Sequence, residues 1–387
     1  MKICGVHFAN NRPVLLQSLM TLRAALLASI VINFIIFPAI LAMIEVWGDL
    51  TLVIDNIIIF IPYSMSICHL FTMWYNRKEI SELFSEMKKD WTAQKNILQH
   101  EIMVQNAKIS MNIIRFAYII AALLVAMHNI PFWIGGIIPR TLTNLTDGER
   151  PLLMQTYYFY DVSVYMNFRL TAIGQSMSSS TAAMCYTTAG CIFYTFVLHV
   201  CGQLKILKHF IENIFNNNDN KNEISEKTLA RLIKISVKRH QKLIKFSGIV
   251  ENIFNMMFLQ QFLGMMITIS AEGFLIISML VGDVEVPVVG LGFVVIYVIY
   301  CMIMTLMYCT GGEYLIASSN ALHSAAYNSL WYNSGQTFRM EITMIINRAQ
   351  RPLYITAGKF SPISLTTFTK FMKTTASYMS VLLAVKS

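Results

Sequence analysis

Leu22–Ile44 reads LRAALLASIVINFIIFPAILAMI, an apolar run whose only charge, Arg23, stands at its start. A helix needs about 20 mostly apolar residues to cross a bilayer, so this run by itself places the chain in a membrane. Six further runs extend the pattern: Leu50–Trp74, Ile113–Gly136, Phe168–Cys201, Met256–Val281, Val288–Cys309 and Ser364–Val385. The fourth is long and rich in small and hydroxyl residues, and the seventh is the most polar. The first run starts too late and is too long for a cleavable signal peptide, so it is read as a retained span.

Composition agrees. Of 387 residues 55% are hydrophobic and only 13% are Asp, Glu, Lys or Arg, and mean hydropathy is +0.54. A soluble domain carries roughly 25% charged residues. Soluble enzyme, disordered protein and nucleic-acid binder are therefore poor fits, despite a formal net charge of +9.

The placement of the positive charges sets the orientation, because cytoplasmic loops carry an excess of Lys and Arg. The segments up to Arg23, Arg77–Arg115, Gln203–Asn255 and Glu313–Pro362 hold 24 of the 30 Lys and Arg, and the opposite loops hold only Arg140 and Arg150. The expected fold is thus an all-α polytopic membrane protein with seven transmembrane helices, N-terminus cytoplasmic and C-terminus extracellular. The lone sequon, Asn144-Leu145-Thr146, falls in an expected external loop and is read as a glycosylation acceptor. None of the seven cysteines lies in an external loop, so no disulfide is expected there.

This orientation inverts a G-protein-coupled receptor, whose Asp-Arg-Tyr and Asn-Pro-x-x-Tyr signatures are missing as well. No His-Glu-x-x-His, Gly-x-Ser-x-Gly or Walker-type loop supports an enzyme, no histidine pair has metal-ligand spacing, and no cofactor is expected. An odd span count without internal symmetry argues against a secondary transporter.

The seventh run, SLTTFTKFMKTTASYMSVLLAV, carries Lys370 and Lys373 among many hydroxyls. A charge at mid-bilayer costs about 2.5–3.5 kcal/mol on insertion scales, so this helix should not face lipid on all sides. Lys370, Thr374, Ser377, Val381 and Ala384 recur at three- and four-residue steps and share a face. That face is polar at its cytoplasmic end and apolar at its outer end. It suits a pore wall closed by a dewetting constriction, although a hydroxyl-rich helix–helix contact is the more ordinary reading of the same residues. One such helix cannot enclose a pore, so the channel reading requires several subunits.

The C-terminal third carries a resemblance. Tyr327-x-x-x-Trp331-Tyr332 precedes Ile346-Asn347-Arg348-Ala349-Gln350-Arg351-Pro352-Leu353-Tyr354-Ile355-Thr356-Ala357-Gly358-Lys359-Phe360. Ser364-Leu365-x-Thr367-Phe368 and Lys373-Thr374-x-x-Ser377-Tyr378-x-Ser380-Val381-Leu382 follow. This stretch of about sixty residues resembles the insect odorant receptor family, most of all the tuning receptors of ants, bees and wasps. The second cytoplasmic loop is shorter than the co-receptor's, and the Thr-Tyr…Gln-Phe ending usual in gustatory receptors is missing.

The resemblance implies an odorant-gated, non-selective cation channel in the plasma membrane of olfactory neurons, assembled as a tetramer with the co-receptor. It divides the chain into residues 1–312 (six spans, an outer-half pocket and cytoplasmic helix extensions), 313–363 (a cytoplasmic anchor) and 364–387 (the pore helix). The cytoplasmic part of the seventh helix would lie around Tyr327–Asn347. Val381 matches the gate, with Thr374, Ser377, Ala384 and Val385 along the pore. Trp331, Tyr332, Arg348, Pro352 and Phe360 belong to the anchor. Relatives commonly carry a polar residue just past the gate, whereas Leu383, Ala384 and Val385 are apolar.

By the same resemblance the pocket for a small volatile ligand lies among spans two, three, four and six. Span two offers Phe60, Tyr63 and Ser64, and span three Met127, His128, Pro131 and Trp133. Span four offers Ile173, Gly174 and Met177, and span six Phe293, Tyr297 and Tyr300. Tyr297 and Tyr300 are three apart and share a helical face. Asp55 and Asp161, near the outer ends of spans two and four, are read first as solvated carboxylates at helix ends, with contact to a polar ligand or to cations entering the channel as the alternative. Two rival functions remain open: a gustatory-type homomeric channel, and a seven-helix receptor signalling through a separate cytoplasmic protein.

Overall fold

The structure, a computed structural model, describes residues 14–137, 151–216, 226–281, 288–329, 331–333 and 336–386. Six helical segments among them are long and apolar enough to cross a membrane. The first is compound: α1 (Val14–Val31), a π-helical stretch (Ile32–Ile36) and α2 (Phe37–Glu45). Pro38 stands in the first turn of α2. Proline has no N–H for the carbonyl four residues earlier, here that of Phe34. The Tyr158 hydroxyl donates to that carbonyl instead, at 2.7 Å.

α3 (Leu50–Tyr75) starts at Asp49, whose carboxylate accepts from the N–H groups of Thr51 and Leu52 at 2.9 and 3.1 Å. This caps two of the donors a helix start leaves unpaired. The short amphipathic α4 (Arg77–Thr92) follows, then α5 (Ile97–Gly135), which ends at Gly136 with φ +63°. A left-handed residue of this kind is the usual helix stop.

The next three helices are longer than a membrane requires. α6 (Tyr165–Asn216) has 52 residues, α7 (Glu226–Val281) 56 and α8 (Val288–Asn328) 41. At 1.5 Å per residue, α6 and α7 each run about 80 Å, against a hydrocarbon core of about 30 Å. All three project beyond the apolar layer at the end of the bundle where the Lys and Arg concentrate. Tyr327, expected in the seventh helix, lies instead in the last turn of α8. Continuous i→i−4 bonding carries that helix past the sequence boundary.

A 3₁₀ turn (Trp331–Asn333), α9 (Gln336–Ala349) and a two-residue hairpin of β1 (Thr356–Ala357) and β2 (Ser361–Pro362) come next, paired antiparallel with Thr356 opposite Pro362. The chain closes on α10 (Leu365–Lys386). The hairpin is held tightly. Glu251 accepts from both the N–H, at 2.8 Å, and the hydroxyl of Thr356, and Gly358 N–H donates to the Asn255 carbonyl at 2.8 Å. A Cβ on Gly312 would stand 2.1 Å from the Ile363 carbonyl oxygen, so α8 and the strand exit meet backbone to backbone.

The largest core lies toward the Lys- and Arg-rich end, where α6, α7 and α8 meet. Phe193, Phe196, Phe254 and Phe258 are fully buried there. Phe193 and Phe258 cross edge-to-face with centroids 4.6 Å apart, and Phe258 meets Tyr308 at 5.2 Å, a favoured aromatic geometry.

Candidate functional site

The other half of the bundle is hollow. α3, α5, α6, α7 and α8 surround a cavity of about 190 Å³. Its wall is mostly aromatic and aliphatic, with a few polar side chains, as small-molecule sites generally are. Phe293 stacks on Tyr297 with centroids 6.2 Å apart, Tyr300 lies 6.2 Å further along, and His128 of α5 tilts against Phe293 at 5.3 Å. Tyr63 closes the α3 side and Tyr186 the α6 side. The Tyr186 hydroxyl accepts from Gln261 Nε2, and its ring stacks on His69 at 4.9 Å.

One side of the cavity is closed by a non-helical stretch, residues 151–164. Leu152, Leu153, Met154, Gln155 and Thr156 are all buried, and Leu153 and Met154 line the cavity. Gln175 of α6 holds this stretch: its Oε1 accepts from Met154 N–H at 3.1 Å, and its Nε2 donates to the Thr156 hydroxyl at 2.9 Å. Residues 152–156 therefore belong to the core, whereas most of 157–164 is exposed; the sequence reads the whole stretch as part of an external loop.

Of the residues expected at the pocket, Tyr63, His128, Phe293, Tyr297 and Tyr300 are brought together in the cavity wall. The others lie elsewhere. Ser64 donates to the Phe60 carbonyl at 2.8 Å and borders a shallower depression between α3 and α7. Met127, Trp133, Ile173 and Met177 are exposed on the outer surface of the bundle, with Trp133 Nε1 donating to Ser176 Oγ at 3.0 Å. Pro131 sits inside α5, outside the wall. Gly174 serves packing rather than the cavity. A Cβ there would stand 2.2 Å from the Phe34 ring, so the glycine admits the π-helical stretch against α6.

The two carboxylates expected as solvated differ from one another. Asp161 is solvent-exposed, and hydrogen bonds from the Ser163 side chain and N–H hold its carboxyl below the ordinary value. Asp55 corrects the sequence reading: it is only 5% exposed and lines the cavity, because its turn of α3 faces α7 rather than water. Glu272, on α7, joins it in the same wall at 3% exposure. The sequence did carry a signal for Glu272, an acid in mid-span, which is a functional-site candidate by default. Tyr186 and Met265 carry none, since aromatic and Met residues are common throughout these spans.

α10 rests on α7. Ser270 Oγ donates to the Thr375 carbonyl at 3.1 Å, Phe371 meets Phe262 at 5.7 Å, and Gly273 leaves room for Met379, whose sulfur would stand 2.4 Å from a Cβ there. Phe371 and Thr375 are buried, while Lys370, Lys373, Thr374, Ser377, Val381 and Ala384 are exposed. Val385 lies in the last turn of the same helix. Among the residues expected in the anchor, Trp331 is half-buried with Nε1 donating to the Tyr327 carbonyl at 3.1 Å, and Arg348 donates to the Arg351 carbonyl at 3.0 Å. Pro352 is half-buried, whereas Tyr332 and Phe360 are exposed. Asn144 lies outside the described residues.

Long spanning helices, an aromatic-walled cavity and a polar helix face left uncovered define a multi-pass membrane protein of the receptor class. The 7tm Odorant receptor family model matches residues 49–376. The chain belongs to that family. It is 26% identical to odorant receptor 13a of Drosophila melanogaster over 252 residues, 61% of this chain and 58% of the relative. It is 24% identical to the odorant receptor coreceptor of Aedes aegypti over 181 residues, 46% of this chain and 37% of that protein. The matched stretches thus span little more than half the length of the curated relatives at most. The olfactory receptor OR5 of Machilis hrabei, solved in complex with eugenol, shares the fold at a TM-score of 0.80 and 15% identity, covering 98% of this chain and 95% of that one.

Proposed function

We propose that this chain is the odorant-binding subunit of a heteromeric, ligand-gated, non-selective cation channel, with its N-terminus cytoplasmic. It forms a heterotetramer with the odorant receptor co-receptor in the plasma membrane of the olfactory neuron dendrite. The observation that carries this reading is α7, which lines the aromatic cavity on one side and supports the exposed hydroxyl face of α10 on the other. A small volatile organic ligand in the cavity biases a closed–open equilibrium by binding the open state better. Thr374, Ser377, Val381, Ala384 and Val385 line the pore, with Val381 at the gate. The segment 313–363, including Trp331, Tyr332, Arg348, Pro352 and Phe360, anchors the subunits, and Asn144 is a glycosylation acceptor.

Expression with and without the co-receptor tests the reading. Odour-evoked current within milliseconds, independent of nucleotide and requiring the co-receptor, is the expected result. Equal current without it overturns the heteromeric assignment in favour of a homomeric channel. Nucleotide-dependent current points to a receptor acting through a separate protein. Val381→Ala is expected to raise resting leak or change blocker sensitivity at unchanged surface expression; no change in either removes Val381 from the gate.

A further inference from the structure

The cavity's carboxylates are not explained by an apolar odorant. Glu272 Oε2 has no hydrogen-bond partner among the described residues, and its side chain is almost wholly buried. An uncompensated buried acid is costly, and ionisable groups inside membrane spans generally meet a partner or a substrate. Asp55, from the neighbouring helix α3, lines the same cavity. Among the described residues, no Lys or Arg lines the cavity.

The rest of the wall points the same way. The rings of Tyr63, Tyr297 and Tyr300 surround the space, and aromatic faces attract ammonium groups, most strongly when water is excluded. Carboxylates and aromatic faces are two independent features with one common preference, an organic cation able to donate hydrogen bonds. We propose that the cavity selects a small organic amine, bound as its ammonium between Asp55 and Glu272 with its hydrocarbon part against the tyrosines. The proposal rests on the reading of this cavity as the ligand site and names the chemical class it prefers.

The test compares 2-phenylethylamine with 2-phenylethanol, which match closely in shape and differ in charge at neutral pH. Binding to the purified full chain in detergent is measured by ligand-induced thermal shift and intrinsic fluorescence titration. The amine is expected to bind at least tenfold more tightly, and Asp55→Asn/Glu272→Gln to reduce that preference to less than about threefold. Glu272→Gln alone, which removes a buried acid without changing shape, is expected to reduce it in the same direction. Equal or tighter binding of the alcohol to the unmodified chain overturns the proposal, as does a preference that survives in the double variant. Because the readout is binding, amine selectivity without evoked current supports this proposal while counting against the channel reading.

Discussion

The two halves of the bundle are made from the same helices and packed on opposite terms. Toward the Lys- and Arg-rich end, α6, α7 and α8 bury four phenylalanines completely, and three of them, Phe193, Phe254 and Phe258, interlock their rings at 4.6–6.1 Å. At the other end the same helices diverge around an open cavity edged with acids and hydroxyls. Protein interiors are close-packed, and voids are tolerated only at a cost. The hollow half is therefore where stability is given up for binding, and the dense half is what makes that loss tolerable.

The largest expected effect comes from the dense half. Gly312→Leu would drive a side chain into the Ile363 backbone carbonyl, which cannot yield as a flexible side-chain tip could. Loss of monodisperse protein on gel filtration in detergent is expected; a well-behaved variant would show that the hairpin is not clamped. Phe193→Ala comes next and is expected to cost about 3–5 kcal/mol, the usual range for emptying a buried aromatic site. Thermal unfolding checks it, and a loss below about 1 kcal/mol would erase the contrast between the halves.

Ala182→Leu sharpens the contrast from the hollow side. It adds volume to the cavity wall and is expected to change stability by less than about 1 kcal/mol while weakening ligand binding at least tenfold. Equal damage to both would mean that the two regions are not separable.

The smallest effect is electrostatic and lies outside the membrane. Burial raises the Asp90 carboxyl, but hydrogen bonds from His199, at 3.1 Å, and from Lys242 together outweigh it and hold the group below its ordinary value. A depressed carboxylate contributes stability above its unfolded pKa of 3.8 and loses it as pH falls through the lower folded value. Asp90→Asn is expected to cost about 1 kcal/mol at pH 7, a modest figure because Lys242 is partly exposed to solvent. That difference should shrink in strong acid, as pH falls below the unfolded value of 3.8.

The spans were legible because apolar length is a strong signal, and the tyrosine pair was legible because three-residue spacing fixes a shared face. Rotational phase was not. The spans are apolar nearly all round, so nothing in the pattern separates Tyr297, which faces the cavity, from Met177, which faces outward. Asp55 was misread because its place near a helix start suggested solvent, whereas packing of α3 against α7 decided its burial. Residues 152–156 have no periodicity to reveal that they fold inward, and the Phe34 carbonyl in the π-helical stretch finds its donor in Tyr158, more than a hundred residues away. Glu251, which holds Thr356, belongs to no sequence motif that marks it for that role.

The clamp at the foot of α10 has a mechanical consequence. Glu313 receives the Leu365 N–H at 3.1 Å, and Gly312 pins Ile363 just before it, whereas higher up the helix meets α7 through side chains, Met379 against Gly273 and Leu382 and Leu383 against the cluster of Phe274 and Leu275. A rod clamped backbone to backbone at its base is set up to tilt about that base. Val381 lies sixteen residues above the pivot, about 24 Å at the rise of an α-helix, so a tilt of about 5° carries it about 2 Å sideways. Small displacements at the level of the cavity are thereby multiplied toward the tip, without any unwinding of the rod itself.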